Sequence, residues 1–73
     1  MITGTKEQLS EKFDLMISKG MNPVLSNSRG VKFIVREYSK SQYEDIAIIE
    51  DGESGEKYKV DLEGIMDRYK LEF

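Results

Sequence analysis

Tyr43-Glu44-Asp45-Ile46-Ala47-Ile48-Ile49-Glu50-Asp51 is the most apolar run of the chain, with acidic pairs on both sides and a glycine directly after it. Side chains of a strand alternate between faces, so Ile46 and Ile48 point one way while Ala47 and Ile49 point the other. A strand that is apolar on both sides needs cover on both sides. The run is therefore expected to be the central strand of a small sheet, and the rest of the chain has to supply that cover.

Upstream, the polar loop Ser39-Lys40-Ser41-Gln42 leads back to Val31–Tyr38, which has a period of two. Val31, Phe33 and Val35 fall on one face and Lys32, Ile34, Arg36 and Tyr38 on the other, the pattern of a half-buried strand. Before it, Asn27-Ser28-Arg29-Gly30 has turn composition, and Pro23-Val24-Leu25-Ser26 suits a short edge strand, where proline is tolerated. Downstream, Asp51-Gly52-Glu53-Ser54-Gly55 forms a second hairpin turn. Lys57–Val60 gives a further alternating strand with Tyr58 and Val60 inward.

Two helices flank these strands. Thr5 and Gln8 have capping-box spacing, and Leu9, Phe13, Met16 and Ile17 recur as one helical stripe, with Gly20 and then Pro23 beyond its end. A helix is expected over residues 6–19. Asp61 is a suitable N-cap for a second, shorter stripe of Leu62, Ile65, Met66 and Tyr69, in which Gly64 costs about 1 kcal/mol relative to alanine. Leu71 and Phe73 are expected to fold back onto the sheet.

The predicted architecture over residues 1–73 is one α+β domain. An N-terminal helix packs on an antiparallel meander of three or four strands, and a short helix follows near the C-terminus. A bent SH3-like barrel, with glycines at its corners, is the alternative. At 73 residues the chain can form a single small core.

Charge divides the chain unevenly. Residues 1–43 carry seven basic and four acidic side chains, whereas residues 44–73 carry four basic and ten acidic ones, for a net charge of −3. Glu44, Asp45, Glu50, Asp51 and Glu53 are the candidate acidic docking surface, able to occupy a basic site on a nucleic-acid-handling protein and to gain on-rate by steering. The plainer alternative is solubilising charge, or attraction between the two halves within the fold. A competing basic reading takes Arg29, Lys32, Arg36 and Tyr38 as a sheet face that holds phosphates and stacks a base. The overall negative charge counts against it, because cation density dominates phosphate binding.

The sequence argues against catalysis. There is no histidine and no cysteine, so the usual general base, the thiolate nucleophile and the best zinc ligands are missing. No phosphate-cradling or dinucleotide fingerprint occurs, and no cofactor is expected. Asp51, Glu53 and Glu56 surround two glycines but do not follow an EF-hand frame, so they are read as a solvated turn and not as a metal site. No apolar run approaches the roughly 18 residues of a membrane span, no signal-peptide pattern is present, and the lack of cysteine suits a cytoplasmic protein.

A non-enzymatic protein that binds another protein is therefore the expected function, with a nucleic-acid-binding sheet as the alternative. The apolar side of the contact is expected to be Ile34, Tyr38 and Ile49. If both helices lie on one side of the sheet, that patch needs a partner, most simply a second copy about a two-fold axis. If the helices take opposite sides, the monomer is self-sufficient.

Overall fold

A computed structural model of the chain describes residues 2–72. Its elements, in order, are helix α1 (Lys6–Ser18), strands β1 (Val24–Ser26), β2 (Lys32–Lys40), β3 (Asp45–Asp51) and β4 (Lys57–Asp61), helix α2 (Leu62–Arg68) and strand β5 (Lys70–Leu71). The predicted α+β class is the one observed.

Helix α1 begins at the capping box. Thr5 Oγ1 accepts from the Gln8 backbone N–H at 3.1 Å, and Gln8 Oε1 accepts from the Thr5 N–H at 2.9 Å. It ends in a Schellman turn, where the Gly20 N–H donates to Ile17 and the Met21 N–H to Met16. Gly20 has φ +79°, the left-handed conformation that glycine adopts without a side-chain clash.

All pairings in the sheet are antiparallel, and the strand order is β4-β3-β2-β1-β5. Strands β1 to β4 form a continuous meander. Helix α2 then carries the chain from β4 to the opposite edge, where β5 pairs with β1. Two corrections follow. Strand β1 is not an edge strand, because Lys70–Leu71 adds a fifth strand outside it. The isoleucine strand β3 is interior, but the middle position belongs to β2. Leu71 folds back as predicted, opposite Leu25; Phe73 lies outside the described residues.

Both helices pack on the same face of the sheet. Leu9 and Phe13 from α1, Leu62 and Ile65 from α2, and Leu25, Phe33, Val35, Ala47 and Ile49 from the strands form one buried cluster. Asp61 caps α2 by accepting from the Gly64 N–H at 2.9 Å. A Cβ at position 64 would stand 2.8 Å from that same Asp61 oxygen, which accounts for a glycine inside so short a helix.

The open face of the sheet as candidate functional site

The register defines what the helices leave uncovered. Val35 stands opposite Ile49, and Tyr38 opposite Ala47, on the covered side. Between these pairs the ladder slips: Glu37, not Arg36, stands opposite Ile48. This is a β-bulge, in which two residues of one strand face one of the other. The inserted residue reverses the alternation beyond it, so Tyr38 turns inward. Its ring meets Phe13 edge-on at 5.6 Å, and its hydroxyl lies 2.6 Å from the Ser10 hydroxyl.

Among the described residues no helix lies over the other side of the sheet. Its aliphatic residues are Val24, Ile34, Ile46 and Ile48, each half-buried. Ile34 stands beside Val24 on β1 and opposite Glu50 on β3, while Ile48 stands opposite Lys59 on β4. Between Ile34 and Ile48 runs an ion pair, with Arg36 donating to both carboxylate oxygens of Glu50 at 3.2 and 3.3 Å. Long charged side chains thus partly shade the isoleucines, their alkyl stems lying over apolar surface. The cover expected on both sides of β3 is supplied on one side only.

The open face also has a charge of its own. Alternation along the strands places Lys32, Arg36, Lys57, Lys59 and Lys70 on it, against Glu37, Glu50, Asp61 and Glu72. Lys32 pairs with Glu72, and Arg36 with Glu50. Glu72 also accepts from the Ser26 hydroxyl, and these contacts, the Lys32 hydrogen bond foremost, hold its carboxyl below the ordinary carboxylate range. Among the described residues no ion pair reaches Lys57, Lys59 or Lys70. The face is therefore close to charge balance, five cations against four acids, on a chain whose formal net charge is −3, and the acid surplus lies elsewhere.

The residues singled out from the sequence are distributed differently from expectation. Of Ile34, Tyr38 and Ile49, only Ile34 belongs to the open face. Ile49 is fully buried against the helices, and the bulge sends Tyr38 to the same side. The five acids do not make one surface. Glu44 and Asp45 lie at one end of β3 and Asp51 and Glu53 at the other, about 20 Å apart along a seven-residue strand. Asp45 lies 3.9 Å from Lys6. Asp51 accepts from the Glu53 and Ser54 backbone N–H groups and so shapes its turn, while Glu50 is held by Arg36. Arg29, Lys32, Arg36 and Tyr38 do not share a face either. Arg29 sits in the turn shaped by Asn27, the next two are ion-paired, and Tyr38 is on the covered side.

Val24, Ile46, Ile48, Lys57 and Lys59 were not singled out for contact. Their signal lay in the period-two pattern of β3 and β4, which already placed Ile46 and Ile48 together; the missing information was that both helices take the opposite side. Among the described residues no group of three His, Cys, Asp or Glu side chains is arranged to hold a metal ion, and no helix is long and apolar enough to cross a membrane. No family model, curated protein or solved structure matches the chain.

Proposed function

We propose that the chain is a non-enzymatic binding protein that acts by contact with another protein, and that the contact is made through the open face of its sheet. The observation that carries this is the placement of both helices on one side while Val24, Ile34, Ile46 and Ile48 occupy the other. An antiparallel sheet can leave one face to water, but that face then alternates to polar residues. Here β3 presents two isoleucines to it, with a third on β2. Grouped aliphatic side chains rimmed by charge are the usual make-up of a protein contact surface. The lack of histidine and cysteine supports a role without catalysis, and the lack of cysteine fits action in a reducing cytoplasm.

The test is capture of binding partners with the tagged chain and with two folded double variants. Ile34→Ser with Ile48→Ser alters the open face. Leu15→Ser with Tyr43→Ser alters exposed apolar residues on α1 and in the β2–β3 turn. The partner should be lost with the first pair and kept with the second; the reverse outcome would move the contact off the sheet.

A further inference from the structure

Building on the contact reading above, we infer that the partner on the open face is a second copy of the chain, related to the first by a two-fold axis running along β3. The register supplies the evidence. Glu37, Ile48 and Lys59 stand side by side on β2, β3 and β4, an acid and a base on either side of an isoleucine. Both charged residues are exposed, and among the described residues neither is ion-paired. Turning a copy over about β3 exchanges its two flanks, so Lys59 of each copy meets Glu37 of the other, and Ile48 meets Ile48. One step along the strands, Ser39, Ile46 and Asp61 form the next row. There Ile46 meets Ile46, and the Ser39 hydroxyl of each copy faces the Asp61 carboxylate of the other. A two-fold contact has to be complementary to itself in this way. Glu50 also falls on the axis, where it is held by Arg36 of its own chain.

The packing geometry agrees. An axis parallel to β3 keeps the strands of the two copies aligned, as in sheets stacked face to face, which cross at about 30°. Such sheets lie about 10 Å apart, a gap that a lysine and a glutamate span from opposite sides. Charge favours the same face. The chain carries a net −3, so two copies repel through most of their surface, whereas five cations against four acids leave the open face near balance. A strongly charged partner of either sign gains little from so balanced a face. Nucleic acid would also find no aromatic ring there, since Tyr38 is turned to the core, Tyr58 lies on the covered side and Tyr43 sits in a turn. Single strands are held largely by stacking on such rings.

The experiment is sedimentation equilibrium of the full chain from about 10 µM to about 1 mM, the range in which a small interface associates. It is run on the wild type, Glu37→Lys, Lys59→Glu, Ile48→Ser and an equimolar mixture of the two charge variants. The wild type should dimerise, and Ile48→Ser should weaken the dimer. Each charge variant alone sets like charges across the axis, and its association should fall about tenfold or more. In the mixture one copy carries two cations and its partner two acids, so both pairs are restored and dimerisation should return to about the wild-type strength. Loss in both charge variants without recovery on mixing would overturn the two-fold arrangement. So would a dimer that survives Ile48→Ser and both charge variants. A wild type still monomeric at about 1 mM would overturn the second copy, and the capture experiment above then decides the contact face separately. A captured partner lost with Ile34→Ser and Ile48→Ser would keep that face; a partner retained would remove it as well.

Discussion

The hydroxyls of Ser10 and Tyr38 meet at 2.6 Å on the covered side of the sheet, linking helix α1 to strand β2 across 28 positions of sequence. Ser10 is one of two buried polar residues among the described residues, and Tyr38 is its partner. The contact exists because the bulge after Val35 turns Tyr38 inward, so it reports directly on the register that separates the two faces.

Removing one hydroxyl of this pair leaves the other without its partner, whereas removing both does not. Tyr38→Phe and Ser10→Ala should each destabilise the fold by about 1 kcal/mol, and the double variant should cost less than their sum. Urea unfolding of the four proteins measures the coupling. Burial, the larger influence, and the charges of Asp45 and Asp14 push the Tyr38 phenol above its ordinary value of 10.0, against the Ser10 hydrogen bond. The folded state therefore holds this proton more tightly than the unfolded state. The associated stability is complete below pH 10 and is lost as the pH climbs through the raised value. The stability difference between the wild type and Tyr38→Phe should shrink above that pH. A constant difference would show that the phenol does not titrate in its folded surroundings.

Glu72 works at the other end of the pH scale. Lys32 and then Ser26 hold its carboxyl below 4.5, so its contribution is present above that pH and disappears as the pH falls through the lowered value. Glu72→Gln should unfold at lower urea than the wild type near neutrality and at the same urea near pH 2. A gap that persists in acid would mean that the ion pair across β1, β2 and β5 is not its source.

Adjacent isoleucines of β3 should respond very differently to truncation. Ile49 is fully buried against the helices, and Ile49→Ala should cost about 2–5 kcal/mol, a large share of the stability of so small a domain. Ile48 is half-buried on the open face, and Ile48→Ala should cost about 1 kcal/mol or less. Unfolding midpoints decide it, and comparable losses would contradict the assignment of the two faces.

Much of this architecture is legible in the residues. The capping box at Thr5, the stripe from Leu9 to Ile17 and the alternation in Val31–Val35 and Lys57–Val60 all became the elements they suggest. What was not legible depends on register. Strict alternation puts Tyr38 with Ile34, and only the consecutive charged pair Arg36-Glu37 hints that an extra residue interrupts the pattern. Ile49 was grouped with Ile34, but pairing with Val35 fixes it inward. The acids of β3 are close in sequence, yet an extended strand draws Asp45 and Asp51 about 20 Å apart. The side taken by each helix is a tertiary fact that no single segment encodes, and it decides which isoleucines remain for a partner.

The most direct test of the contact surface is photo-crosslinking in cells, with a light-activated side chain placed in turn at Ile48, Lys59, Leu15 and Tyr43. Crosslinking to a protein from Ile48 and Lys59, and not from Leu15 or Tyr43, is the predicted result. Crosslinks confined to Leu15 or Tyr43, or silence at Ile48 and Lys59 while the chain is folded and expressed, would contradict it.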